Sequence, residues 1–89
     1  MGLNKQELLV TAETNRGNYS VEIKSDIPGL WQAGIKIGIP ERYFDVLTSR
    51  GDLKTWRNLA DAVAFIQDTC PDCEKVQIQI QNWTFERTN

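Results

Sequence analysis

Two cysteines carry the most reactive side chains of this 89-residue sequence, and they form a Cys-x-x-Cys arrangement at Cys70 and Cys73. This spacing occurs in dithiol redox sites and as half of a tetrahedral zinc site. The chain has no histidine and no third cysteine, so a zinc shell would need recruited carboxylates or both thiols from each of two subunits. We therefore predict two reduced, metal-free thiols in a turn. A metal- or redox-responsive dimer through Cys70 and Cys73 is one alternative.

A second group with chemical potential is basic. Arg50, Lys54 and Arg57 surround Trp56, and basic residues beside an aromatic ring are typical of nucleic-acid contacts. The net charge of the chain is −2, and several aspartates lie in the same stretch, so no general attraction to phosphate is expected. A nucleic-acid-associated regulator using the Arg50–Arg57 surface is the second alternative.

The composition argues against an enzyme. Without histidine, the Ser-His and Cys-His nucleophile systems are excluded. Gly34 and Gly38 lie next to isoleucines and do not lead into a helix, so they do not indicate a phosphate-binding loop. We predict a non-enzymatic protein without a cofactor.

Hydrophobic periodicity indicates the elements that position these side chains. Residues 7–25 alternate around a turn at 15–18, which predicts a β-hairpin. A third strand is predicted at 31–39, and its apolar face comprises Trp31, Ala33, Ile35, Ile37 and Ile39.

The second half of the chain predicts a tight hairpin, a helix and a final strand. Strands at 43–48 and 53–56 flank turn residues, and Asn58 is suited to cap a helix that ends near 68–69, just before a proline. Residues 76–80 alternate and predict the last strand. The apolar stripe of the helix comprises Leu59, Ala62, Val63 and Ile66.

These elements predict a two-layer α+β domain, in which an antiparallel sheet of four to five strands carries one α-helix on one face. Residues 1–89 form a single domain in this interpretation, with 83–89 as a candidate flexible tail. No apolar run approaches the roughly 18–20 residues of a membrane span. We expect a cytoplasmic protein without a membrane partner.

The last strand supplies the leading functional hypothesis. Its outward side chains are uncharged, and it lacks the lysines, prolines and bulges that usually protect a sheet edge. It is either a central strand or one that pairs with a partner by strand addition. We predict a protein-binding accessory factor that contacts another protein, or a second copy of itself, through Gln77, Gln79, Gln81 and Trp83.

Part of the chain resembles a known group of proteins. The relevant residues are Thr48-Ser49-Arg50-Gly51, Lys54-Thr55-Trp56, Leu59-Ala60-Asp61-Ala62 and Phe65-Ile66. This pattern is similar to one in small accessory proteins of bacterial plasmids, integrative elements and gene cassettes. The resemblance implies a bacterial, mobile-element origin and a role through binding, and it implies no catalytic or ligand residues.

Overall fold

In the part of the chain that the structure describes, six strands form one sheet, and two helices supply buried side chains to a single core with it. The computed structural model describes residues 2–27, 29–38, 40–73 and 75–86. The elements in chain order are β1 (Gly2–Leu3), α1 (Lys5–Thr14), β2 (Tyr19–Ile27), β3 (Leu30–Ile37), β4 (Arg42–Val46), α2 (Leu59–Thr69), β5 (Val76–Ile80) and β6 (Trp83–Glu86).

The sheet is mixed, and its strand order is β1-β4-β3-β2-β5-β6. Strands β2, β3 and β4 form an antiparallel meander, and β6 is antiparallel to β5. The β1–β4 and β2–β5 pairs are parallel. The prediction of an antiparallel sheet of four to five strands with one helix is therefore wrong in detail. Two helical crossovers, β1-α1-β2 and β4-α2-β5, create the parallel relations that the sequence pattern did not reveal.

The first predicted hairpin is wrong because its first half is helix α1. Asn4 and Glu7 form a capping box, in which Asn4 Oδ1 accepts the Glu7 amide at 2.9 Å and Glu7 Oε1 accepts the Asn4 amide at 3.0 Å. Leu8 and Ala12 are buried, whereas Val10 between them is 64% exposed. Spacing of four residues along a helix, rather than alternation along a strand, therefore accounts for the burial.

The central strands and the second helix confirm other predictions. Burial alternates along most of β2, and Val21, Ile23 and Ile35 are almost completely buried as predicted, whereas residues 33–35 of β3 are buried consecutively. Helix α2 begins after Asn58, whose side chain accepts the Asp61 amide at 2.9 Å, and it ends at Thr69 as predicted. The predicted strand residue Ile39 lies outside the described residues.

The segment between β4 and α2 differs from the predicted hairpin. Residues 53–56 form isolated bridges instead of a strand, with Leu53 opposite Leu47 and Trp56 opposite Trp31. The Trp31 and Trp56 backbones exchange two hydrogen bonds of 2.8 Å. This segment therefore connects β4 and the start of α2 to the start of β3.

Candidate functional site

A half-open apolar groove of about 610 Å³ lies between α2 and the β5–β6 pair. Helix α2 packs on β2 and β3, so β5 and β6 extend beyond it. The groove is lined by Ile23, Val63, Ile66, Gln67, Cys70, Pro71, Cys73, Val76, Ile78, Phe85 and Glu86. Among these described lining residues Glu86 is the only charged one, and its side chain accepts Gln77 Nε2 on the helix-free face, so the groove favours apolar groups.

Two aromatic rings on β6 extend the apolar surface to the edge of the sheet. Phe85 lies opposite Ile78 and Trp83 lies opposite Ile80, which places both rings on the helix-bearing face. Trp83 is 67% exposed and Phe85 is 47% exposed. Their ring centroids are 6.2 Å apart, and the planes differ by 24°. The two rings and the groove form one apolar area, here called the β6 surface.

The outer side of β6 has no neighbouring strand in the described sheet. A two-residue turn, Gln81 and Asn82, joins β5 to β6 and is closed by the Ile80–Trp83 pair. Hydrogen-bonded and non-bonded pairs alternate along an antiparallel ladder, so the N–H and C=O groups of Thr84 and Glu86 point towards the open edge. β6 contains no lysine or proline that would block pairing.

Gln81 has a φ of 54°, the only positive φ among the described non-glycine residues. A glutamine in this region is less favourable than glycine, because its Cβ approaches the backbone. Its amide donates to Ser25 O at 3.4 Å, and its carbonyl accepts Gln79 Nε2 at 3.3 Å. These contacts hold the turn at the end of the β6 surface.

The four predicted binding residues do not form one surface. Gln77 and Gln79 lie on the helix-free face, because they pair with Glu22 and Lys24 of β2, whereas Trp83 lies on the opposite face. The strand that carries them is also paired on both sides, so β6 rather than β5 forms the edge. Sequence reasoning missed Phe85, although the alternation of Trp83 and Phe85 was a usable signal for a strand.

The helix-free face is polar, and its charges are largely paired. Glu22 and Lys36 form an ion pair of 3.3 Å with largely covered side chains, and Lys24 Nζ lies 5.2 Å from the centroid of the Tyr43 ring. Burial, followed by the charges of Glu22 and Asp45, raises the pKa of the Tyr43 hydroxyl. This mutual pairing suits a solvated surface better than a site for an ionic ligand.

One member of the predicted basic group, Lys54, lies over two aromatic rings. Lys54 Nζ lies 5.5 Å from the Trp56 centroid and 5.3 Å from that of Phe65, which are themselves 5.2 Å apart. Arg50 and Arg57 remain exposed. Trp56 is thus flanked by a ring and a cation, which reduces its availability for stacking on a base, and the nucleic-acid role stays a prediction.

Cys70 and Cys73 lie in the wall of the groove and are not joined in a disulfide. A turn connects them, with the Cys73 amide donating to Cys70 O at 3.1 Å. Cys70 Sγ accepts from Thr69 Oγ1 at 3.7 Å, and Cys73 Sγ donates to Lys75 O at 3.1 Å. Burial raises the pKa of the Cys70 thiol, which lowers its reactivity as a nucleophile.

Comparison with protein families, with curated proteins and with solved structures gives no match to this chain. Within the described residues, neither helix is long and apolar enough to cross a membrane. We therefore infer function from the geometry of the β5–β6 end of the sheet.

Proposed function

We propose that this protein is a non-enzymatic binding module that takes up an extended segment of a partner protein at the β6 surface. The segment would add to β6 as a further strand, antiparallel or parallel, and place alternate side chains over Trp83, Phe85 and the groove. The observation that carries the proposal is the pair of exposed aromatic rings directly beside an unpaired strand edge.

Strand addition divides the interaction into two parts. The backbone groups of Thr84 and Glu86 would provide hydrogen bonds that depend little on the partner's sequence. Side chains of the partner that enter the apolar groove would provide selectivity. Aromatic side chains bury roughly 150–250 Å² when fully covered, so the exposed parts of Trp83 and Phe85 offer on the order of 200 Å².

The β6 surface fits protein better than nucleic acid. Exposed rings can stack on bases, but single-strand binding also needs cationic groups that follow the phosphates. No lysine or arginine lines the groove in the described chain, and Glu86 is its one charged member. Because residues 48–66 resemble accessory proteins of mobile elements, we propose that this protein binds its partner in the bacterial cytoplasm.

Matched alanine variants test the proposal. Trp83→Ala removes the most exposed ring of the β6 surface, and Val10→Ala removes a similarly exposed apolar side chain, 64% exposed, from α1. Quantitative capture from a bacterial lysate identifies partners, and titration calorimetry with a purified partner gives the affinity. We expect Trp83→Ala to weaken binding by at least about tenfold, as for a central aromatic anchor, and Val10→Ala to leave it unchanged.

A backbone variant separates strand addition from side-chain contact. A synthetic segment beginning at Cys73 can be ligated to the rest of the chain, with the Thr84 amide N-methylated. This change removes one outward donor and keeps every side chain, so we expect binding to be lost while the fold persists. If the Thr84 variant and Trp83→Ala both bind a partner as the wild type does, the β6 surface is not the binding site.

A further inference from the structure

The hydroxyl of Tyr19 is a buried donor beside a thiol sulfur. Tyr19 is 8% exposed, and its Oη forms no hydrogen bond with a nitrogen or oxygen atom of the described residues. Its neighbour is the Cys70 thiol, and it interacts electrostatically with both Cys70 and Cys73. Buried polar groups in native proteins are nearly always paired, and a neutral thiol sulfur is only a weak acceptor, so this hydroxyl would be better paired with a thiolate.

A turn joins the two cysteines, and both line the same groove. Cys70 and Cys73 are 2% and 4% exposed, and the hydrogen-bonded turn between them brings both sulfur atoms to the wall of the same groove. The residues around them there include Ile23, Ile66 and Val76. Among the described residues, no group of three or more His, Cys, Asp or Glu side chains could hold a metal ion. Within the described part of the chain, the donor set at this place is two sulfur atoms in an apolar wall.

We propose that Cys70 and Cys73 of one chain form a two-coordinate site for a soft monovalent metal ion, of the copper(I) type, and that Tyr19 donates a hydrogen bond to a ligating thiolate. Thiolates select soft ions such as copper(I). A metal-bound thiolate is a strong acceptor, so binding would replace the weak thiol acceptor beside Tyr19 Oη with a strong one. The groove would give the ion its entry path.

The Tyr19 hydroxyl beside Cys70 distinguishes this site from the other uses of two cysteines. A disulfide between Cys70 and Cys73 would offer Tyr19 only a weak acceptor. Zinc would require four ligands. The sequence also allowed a zinc site shared across a dimer. That site would require the two thiols of a second subunit to approach cysteines that are almost completely buried.

The binding step is balanced by proton release. Each thiol gives up its proton to solvent, and one monovalent ion joins two thiolates in a complex with a net charge of −1. Cys73 then no longer donates to Lys75 O, but that carbonyl still accepts the Val21 amide at 3.0 Å. The hydroxyl of Tyr19 would offset part of the buried negative charge, which makes it a positioning residue for the site.

Competition with a coloured copper(I) chelator, bathocuproine disulfonate, tests the proposal on the reduced full-length protein under anaerobic conditions. We expect one copper(I) per monomer, with the monomer confirmed by sedimentation, and no stoichiometric retention of zinc. Cys70→Ser and Cys73→Ser should each lose the ion. Tyr19→Phe should keep the stoichiometry and weaken binding by about 10–100-fold, the usual effect of removing an outer-shell partner.

Tyr43→Phe is the matched control, because it removes a phenol hydroxyl from the helix-free face. It should bind copper(I) as the wild type does. Circular dichroism establishes that each variant is folded, and if the serine variants unfold, the two phenylalanine variants decide the question by themselves. Equal affinities of Tyr19→Phe and Tyr43→Phe would overturn the proposal. So would half an equivalent of metal in a dimer, or no retention against the chelator.

Discussion

Tyr19 has a consequence for stability that is independent of any metal. Burial, followed by the nearby thiols Cys70 and Cys73, raises the pKa of its hydroxyl above the ordinary value of about 10. Above pH ~10 the unfolded chain therefore loses this proton while the folded chain retains it, so the free energy of unfolding falls as pH rises.

The variant Tyr19→Phe should lack this contribution to the pH dependence of stability. Urea denaturation between pH 7 and 11 should give a shallower loss of stability at alkaline pH in the variant than in the wild type. At pH 7 the variant should be equal or more stable by about 1 kcal/mol, because the buried hydroxyl that is removed has only a weak sulfur acceptor. Parallel stability curves for the two proteins would show that Tyr19 is ionised with equal ease in the folded and unfolded chain.

The sequence indicated some functional side chains and not their arrangement. It identified Cys70, Cys73 and Trp83 by residue type, but it could not reveal that Tyr19 lies beside the cysteines, since the parallel β2–β5 pair brings these distant segments together. It grouped Gln77, Gln79 and Trp83 by proximity in the chain. The β5–β6 turn places Trp83 on the other face, and this depends on a pairing register that no local pattern specifies.

At the level of strands, the packing of β3 against β4 depends on one glycine. A Cβ on Gly34 would overlap Cζ and the hydroxyl of Tyr43, so this ring lies directly over the glycine. Gly34→Ala should displace the exposed end of the ring and destabilise the protein by about 1 kcal/mol, the low end of the usual range for overpacking.

A double-mutant cycle checks this expectation. In a Tyr43→Ala background the space above Gly34 is open, and alanine is then a better strand residue than glycine. The cost of Gly34→Ala should therefore vanish or reverse there. The measurement is the denaturation midpoint of all four proteins, and additive effects would mean that the ring and the glycine are not coupled.

Helices and strands differ in how far the sequence revealed them. Helix α2 was predicted with its cap because Asn58, Asp61 and a following proline mark both ends. Helix α1 was mistaken for a strand because its few apolar residues fall at alternate positions, although Asn4 and Glu7 carry the capping-box signature. Strand β1 has only two residues, and it exists through its parallel pairing with β4.

The two ends of the sheet differ in how far the helices cover them. The helices pack over β1, β2 and β3, while β5 and β6 extend past α2 and leave apolar side chains exposed. The α+β class was predictable from the alternation of elements. The mixed strand order was not, because it follows from two long-range crossovers whose direction has no local signature.

This asymmetry should be visible in amide hydrogen exchange followed by NMR. Val21 and Ile23 of β2 are in the middle of the sheet, so their amides should exchange only through global unfolding, which opposes exchange by roughly 5–15 kcal/mol. The Trp83 and Phe85 amides point towards β5 and should exchange by local opening of β6. The Thr84 and Glu86 amides point outward and should exchange almost without protection.

The same two outward amides report on the proposed function. A partner segment that adds to β6 must accept hydrogen bonds from Thr84 and Glu86, so binding should slow their exchange far more than that of Trp83 and Phe85. A partner that only covered the aromatic rings would leave this alternation unchanged. If the Thr84 and Glu86 amides are already protected in the isolated monomer, the edge of β6 is not open, and a partner strand has no place to pair.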